Sequence, residues 1–173
     1  MTIHEYIESR KVEGSLKEKL ESFSGDEVSA IEKLLERIKP NANSLRRILR
    51  LSSEICSRDS INVERLFSTK EFIEIQDGDA QGKEKAAHFR KKLEHLRYPE
   101  KAKLEARLLE LQKSLISKYG LKIELPLELE GERLGVKISA KDATQLGEIA
   151  EKLRDLSVDT ELLEIYSILS GDY

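Results

Sequence analysis

The sequence predicts a mostly helical α+β fold, and three of its features support this. Along most of the 173 residues, apolar side chains recur every three to four positions, which is the helical period. Pro99, after Tyr98, interrupts one long stretch of this kind. Two short segments within 121–140 instead alternate apolar and polar residues, as half-buried strands do. We therefore expect an N-terminal helical region, a long broken helix, a two-stranded antiparallel hairpin and two C-terminal helices.

Helix starts in the N-terminal region are marked by Ser or Thr followed three residues later by Glu, the capping-box pattern. The pattern occurs four times, at Thr2/Glu5, Ser15/Glu18, Ser24/Glu27 and Ser68/Glu71. The apolar face that follows Ser24 ends at Pro40, and the asparagines at 41 and 43 predict a fresh cap for the next helix. These signals predict a helical region over residues 1–77.

The polar, glycine-containing stretch 76–82 is the best candidate for an internal boundary. It divides the chain into a helical region, residues 1–77, and a helix-hairpin-helix region, residues 83–173. A chain of this length also fits one compact domain, so a single continuous domain is the alternative.

One window of the sequence is strongly basic although the whole chain has a net charge of −3. From Lys83 to Lys103, eight basic residues stand against three acidic ones, a local charge of +5. On a helix these cations flank an apolar face, an arrangement that suits contacts to a phosphate backbone. The alternative is a solvated face whose long stems cover apolar surface. Three arginines of an earlier predicted helix, which follows Pro40, are added to this window. The candidate nucleic-acid contacts are Arg46, Arg47, Arg50, Lys85, Arg90, Lys91, Lys92, Arg97 and Lys101.

The segment after Pro99 has leucines at intervals of four, three and four residues, the spacing of a coiled-coil seam. It predicts either a self-association seam or an ordinary helix that packs on the hairpin. Gly120 ends this helix, and Pro126 interrupts pairing in the strand that follows. Because a lone ribbon is marginal in water, we expect it to pack on helices or to join its copy in a dimer. The candidate dimerisation residues are Leu104, Leu108, Leu111, Leu115, Ile123, Leu125, Leu127, Val136 and Ile138.

Two helices are predicted after the hairpin. Ser139 or Asp142 caps the first of them, and the second runs within residues 158–169. Both carry apolar residues at helical spacing, so each is expected to bury one face.

The pattern of residues 104–156 resembles a known dimerisation domain. Its elements are a leucine-rich helix, the sequence Tyr-Gly-Leu-Lys-Ile at 119–123, a glycine at 131, Val-Lys-Ile at 136–138, and Asp-Ala-Thr-Gln-Leu-Gly-Glu-Ile at 142–149. In this it is similar to the C-terminal domain of the ParB-type partition proteins. The resemblance implies that hairpins of two chains form one sheet and that the dimer binds double-stranded DNA without sequence preference. No segment matches the nucleotide-binding region of that family, and Pro126 departs from its first strand.

Composition excludes several classes of protein. The single cysteine, Cys56, rules out an internal disulfide, and no stretch is apolar for long enough to predict a membrane span or a signal peptide. The protein is therefore expected to be cytoplasmic. Aromatic residues are 5% of the chain, without Trp, which disfavours binding of single strands by base stacking.

No catalytic, cofactor-binding or metal-binding pattern is present in the sequence. The three histidines stand apart, and neither a phosphate loop nor a nucleophile constellation can be recognised. We expect a non-enzymatic homodimer, without cofactor, that contacts DNA phosphates through the basic helix. The alternative is a protein-protein adaptor or assembly subunit that uses the hairpin edge and the leucine seam.

Overall fold

The computed structural model describes residues 1–126 and 133–171. The predicted mostly helical α+β fold is confirmed, since 74% of the described residues are helical and they include a two-stranded antiparallel hairpin. The described helices and strands are α1 (Ile3–Arg10), α2 (Ser15–Glu21), α3 (Asp26–Ile38), α4 (Ala42–Asp59), α5 (Val63–Phe67), α6 (Lys70–Asp77), α7 (Gly82–Arg97), α8 (Pro99–Tyr119), β1 (Lys122–Glu124), β2 (Gly135–Lys137), α9 (Ala143–Ser157) and α10 (Thr160–Ser170).

The chain forms two compact units, unit 1 (Met1–Pro99) and unit 2 (Glu100–Tyr173). The polar stretch at 76–82, where the sequence suggested a boundary, lies inside unit 1. The reason is that α7 buries Ala86, Phe89 and Leu93 in the same core as the preceding helices. A polar loop between two helices therefore does not separate units when both helices share a core.

Helix starts in unit 1 fall close to the predicted positions, but the caps differ. Only Thr2 forms the capping box: its side chain accepts from the Glu5 N–H, and the Glu5 carboxylate accepts from the Thr2 N–H. Helices α2 and α3 begin after Gly14 and Gly25, which lack a capping side chain. As predicted after Pro40, an asparagine caps α4, with Asn41 Oδ1 accepting from the Ser44 N–H at 2.8 Å.

The core of unit 1 is apolar and closed around aromatic side chains. Phe67, Phe72 and Phe89 come from α5, α6 and α7, and their ring centroids lie 4.5 to 6.0 Å apart. Tyr6 is fully buried, and its hydroxyl donates to the Pro40 carbonyl at 2.8 Å, which ties α1 to the end of α3. Aromatic pairs at such separations add to the stabilisation that burial gives. Several helices of unit 1 thus share one apolar core.

The start of α7 lies against the end of α3. A Cβ added at Gly82 would be 2.6 Å from the Ile38 carbonyl oxygen, which is backbone and has little room to move. Glycine is therefore required at the first position of α7, since any side chain would push the two helices apart.

The break predicted at Tyr98 is confirmed, since α7 ends at Arg97 and α8 begins at Pro99. Tyr98 has φ −126° and ψ 69°, outside the helical region, as expected for a residue before proline. Helix α8 ends at Tyr119, and Gly120 adopts the left-handed conformation with φ 66°. Glycine tolerates this conformation without steric cost.

The hairpin of unit 2 is short and pairs in antiparallel register. Lys122, Ile123 and Glu124 lie opposite Lys137, Val136 and Gly135. Pairing ends before Pro126, in agreement with the expected interruption. Ile123 is buried, whereas Glu124 on the other face accepts from Lys137 Nζ at 2.7 Å. The candidate dimerisation residue Leu127 lies outside the described residues.

Unit 2 has a small core. Its described buried apolar residues come from α8, the short connection after it, β1, α9 and α10, and they are Leu108, Leu111, Leu115, Leu121, Ile123, Leu156, Leu162, Ile165 and Ile168. Between α8 and β1, Gln112 Nε2 donates to the Ile123 carbonyl at 2.7 Å. The hairpin therefore packs on a helix of its own chain.

We predict that Gly82→Ala destabilises the protein by about 1–3 kcal/mol, because the new methyl group overlaps a backbone carbonyl. The matched control is Gly147→Ala in α9, where an added Cβ has no atom within 4 Å. This control should be neutral or stabilising by up to about 1 kcal/mol, because alanine favours helix. Calorimetric thermal denaturation measures both effects. Equal behaviour of the two variants would contradict the close approach of α7 to α3.

Candidate functional site

Basic side chains of α7 and α4 pair with carboxylates of these two helices. Arg47 of α4 lies 2.7 Å from a Glu94 carboxylate oxygen, and Arg90 lies 3.6 Å from the same oxygen. Arg97 Nε donates to Glu54 of α4 at 2.8 Å. Three of the predicted phosphate contacts are therefore engaged in ion pairs within unit 1.

On its other side, α7 meets the end of α6. Lys85 Nζ donates to the Gln76 carbonyl at 2.8 Å, so it neutralises the C-terminal end of α6. Lys92 Nζ lies 3.5 Å from a Glu71 carboxylate oxygen. The pKa of Glu71 is lowered, first by a hydrogen bond from a backbone N–H and second by the charge of Lys92. In unit 2, Lys101 lies 3.8 Å from Glu105, one helical turn away.

Three predicted contacts have neither a carboxylate nor a helix end as a partner among the described residues: Arg46, Arg50 and Lys91. Arg46 donates to the Asn43 side chain at 3.1 Å on the outer face of α4. Arg50 lies one turn further along that face, and Lys91 is exposed on α7. We use the name free cation patch for these three exposed residues, two on α4 and one on α7, because none of them has such a partner. The local charge of +5 in the sequence is thus reduced by Glu54 and Glu71, which come from distant segments.

The predicted dimerisation residues divide into two groups. Leu108, Leu111, Leu115 and Ile123 are 2% exposed or less, inside the core of unit 2. Their apolar spacing is explained by burial within one chain, so they are not accessible to a second one. Leu104, Leu125 and Val136 are half-buried against that core, and Ile138 is exposed.

Unit 2 nevertheless exposes large apolar side chains. Of the ten large hydrophobic residues that stand exposed in the described chain, seven belong to unit 2, and they are Leu109, Ile116, Ile138, Leu146, Val158, Leu163 and Tyr166. Unit 1 has Met1, Ile73 and Tyr98. Single exposed apolar residues are ordinary, but such a concentration in the smaller unit is typical of an interaction surface.

Helix α9 illustrates this exposure. Its apolar residues recur at helical spacing, but only Leu156 is fully buried, while Leu146 near its start is 53% exposed. Asp142 caps this helix, as one of the two predicted candidates, by accepting from the Gln145 N–H at 2.8 Å. The first two turns of α9 thus carry an apolar stripe that the described part of unit 2 leaves uncovered.

A buried carboxylate joins the end of α8 to the start of α10. Asp159 caps α10 by accepting from the Glu161 N–H at 2.8 Å through Oδ1. Its Oδ2 accepts from Lys118 Nζ at 2.5 Å and from the Tyr119 hydroxyl at 2.7 Å. These hydrogen bonds, that of Lys118 first, lower the pKa of Asp159 from 3.8 to about 2. Sequence reasoning missed this group, because an acidic residue before a helix predicts a cap and says nothing of long-range donors.

A cleft of about 420 Å³ opens between α3, α5 and α6 in unit 1. Ala30, Phe67 and Gln76 are its buried wall residues, and charged side chains of both signs stand around them.

Among the described residues, no group of three or more His, Cys, Asp or Glu side chains is placed to hold a metal ion. No described helix is both long and apolar enough to cross a membrane. The exposed apolar surface of unit 2 and the free cation patch are therefore the candidate functional surfaces.

Comparison with protein-family models, curated proteins and solved structures gives no match to this chain. The resemblance of residues 104–156 to the ParB-type dimerisation domain rests on the sequence pattern alone. Function is therefore argued from the two candidate surfaces.

We predict that Asp159→Asn lowers the free energy of unfolding of unit 2 by about 1–3 kcal/mol at neutral pH, because Lys118 and Tyr119 lose a charged acceptor. The stabilisation by Asp159 is complete above its ordinary pKa of 3.8 and is lost as pH falls towards about 2. The difference in melting temperature between wild type and variant should therefore shrink below pH 4. Thermal denaturation at several pH values measures it.

The matched control is Asp155→Asn, an exposed carboxylate on α9. It should change the melting temperature little at any pH, since exposed charges contribute little to stability. A difference between wild type and the Asp159 variant that stays constant from pH 7 to pH 2 would contradict the assigned role.

Proposed function

We propose that this chain is a protein-protein association module without a catalytic role, and that unit 2 provides the binding surface. The observation that carries the proposal is the concentration of exposed large apolar side chains in unit 2. A buried interface of this kind gains free energy by removing apolar area from water. The adaptor or assembly hypothesis therefore accounts for the geometry better than phosphate binding does.

The difference between the two units supports this proposal. Among described residues, twenty-two apolar side chains are buried in the core of unit 1 and nine in that of unit 2. A domain of about 70 residues encloses only a limited core, so small domains commonly gain stability from a partner. Unit 2 has these features, because it is small and leaves seven large apolar side chains exposed among its described residues.

DNA binding by a ParB-like dimer is the second candidate, and the free cation patch is the observation that favours it. Arg46 and Arg50 lie one helical turn apart on α4, and neither contacts a carboxylate among the described residues. Arginine presents several donors to phosphate oxygens. The ion pairs of Arg47, Lys92 and Arg97 weigh against a larger patch, because phosphate must displace a carboxylate at each of them.

We predict that a photo-cross-linking amino acid at position 166 in α10, or at position 146 in α9, forms adducts with a polypeptide in cells of the host. The reason is that both side chains belong to the exposed apolar surface of unit 2. Mass spectrometry of the adduct identifies the polypeptide, whether it is another protein or a second copy of this chain.

The matched control places the same amino acid at position 152, where Lys152 is exposed on the polar side of α9. It should give few or no adducts. Adducts at 152 as frequent as at 146 and 166, or no protein adduct at any position, would refute the association proposal.

We predict that duplex DNA binding, measured across a salt series, depends on the free cation patch alone. Replacing Arg46, Arg50 and Lys91 by Glu should abolish retention at low salt. In wild type, log affinity should fall with log salt with a slope of about −3 for each bound chain, near −0.9 for each of three contacts.

The control replaces three lysines outside the patch by Glu. They are Lys33, Lys113 and Lys152, and none of them has an ion pair among the described residues. This variant carries the same total charge change and should retain most of its affinity. An equal loss of DNA affinity in both variants would show that binding depends on net charge. If wild type does not bind duplex DNA at low salt, the DNA-binding hypothesis is wrong.

A further inference from the structure

We infer that the binding partner of unit 2 is a second copy of this chain, seated on the outer face of α10. By this face we mean Thr160, Leu163, Tyr166, Ser167 and Ser170, which share one side of the helix. The inference rests on the proposed association function and names its partner and its surface.

Helix α10 is apolar on two opposite sides. Leu162, Ile165 and Ile168 are buried in the core of unit 2. On the other side, Leu163 is 55% exposed and Tyr166 is 43% exposed, one turn apart. A helix that is apolar on both sides is normally buried on both sides. The outer face is therefore the side of α10 on which the described residues leave Leu163 and Tyr166 exposed.

Both charged side chains of α10 are directed away from the outer face. Glu164 accepts two hydrogen bonds from the Arg107 guanidinium of α8, at 2.6 and 2.8 Å. Glu161 accepts from the Ser114 hydroxyl of α8 at 3.0 Å. The ion pair with Arg107 also lowers the pKa of Glu164. The outer face consequently presents two apolar side chains and three hydroxyls, with no charge of its own.

The absence of charge is what selects a second copy as the partner. In a two-fold interface each side chain near the axis meets its own equivalent, so a charge there faces a like charge. An uncharged face avoids this repulsion. The exposed apolar residues of α8 lie beside charged neighbours, with Leu109 next to Glu110 and near Lys113. The outer face of α10 is thus the self-complementary part of the apolar surface of unit 2.

The size of the face sets the strength of the association. A helix of eleven residues is about 16 Å long, so a pair of such helices buries far less than the area of a standard stable interface. We therefore expect a monomer-dimer equilibrium that depends on protein concentration. Because the contact is apolar, raising the salt concentration should not weaken it, in contrast to binding through phosphate contacts.

The first test measures the molar mass of the purified full chain by sedimentation over a concentration series. Wild type should shift from monomer to dimer, and Leu163→Glu should weaken the dimer by about tenfold or more, because it places like charges across the axis. Ile73→Glu makes the same change at a residue of similar exposure, 43%, on α6 of unit 1, and should leave the dimer constant within about twofold. Circular dichroism verifies that both variants keep their helix content.

The second test maps the contact with single cysteines. Cys56→Ser removes the only native cysteine, and Leu163→Cys or Tyr166→Cys is added to it, each treated with a short bismaleimide. A chain with one cysteine gives a cross-link only between two copies. Covalent dimer should form from these two variants and not from Thr144→Cys, which lies on the polar side of α9.

Each outcome decides the inference. A dimer that Leu163→Glu weakens, cross-linked through α10, supports it. A chain that stays monomeric at all concentrations overturns it, as does a dimer that is insensitive to Leu163→Glu and is not cross-linked through α10. If such a chain still forms adducts with a different polypeptide through positions 146 or 166 in cells, only self-association fails. If no protein adduct of any kind forms, the proposed association function is also wrong.

Discussion

The buried carboxylate of Asp159 determines which side of α10 faces outward. It caps α10 and at the same time accepts from Lys118 and Tyr119 at the end of α8, so the start of α10 is held against that helix. Arg107 and Ser114 bind the two glutamates of α10 from the same helix. These contacts agree with the orientation of α10 in which Leu162 and Ile165 are buried in the core of unit 2. Leu163 and Tyr166 lie on the opposite side of the helix and are exposed.

Most of the fold could be predicted from the sequence, because local signals determine its elements. Pro99 stops α7, Gly120 ends α8, and alternation of apolar residues predicts the hairpin whose pairing ends before Pro126. The unit boundary could not be predicted from such signals. The polar loop at 76–82 has the composition of a linker. Whether α7 belongs to unit 1 depends instead on contacts of Phe89 with residues far away in the sequence, which local signals do not reveal.

The candidate surfaces were harder to predict for the same reason. A sum of charge over residues 83–103 counts α7 without the helices packed beside it. Glu54 and Glu71 lie outside that window and neutralise Arg97 and Lys92. Leucine spacing in α8 likewise predicts an apolar face correctly, but it cannot distinguish a face that is buried in the same chain from one that binds another. Exposure, which only the structure provides, made that distinction for Leu108 and Leu109.

The two proposed functions would be physically coupled in a dimer. A patch of three cations gives weak binding to DNA, because each phosphate contact contributes only a modest gain from counterion release. If α10 pairs two chains, the patch is present twice on one particle, and the second contact forms at the high effective concentration that linkage creates. Apolar association through unit 2 would then raise the affinity of unit 1 for a long duplex without any new contact to phosphate. A ParB-like function would require the α10 contact even though no residue of that face touches DNA.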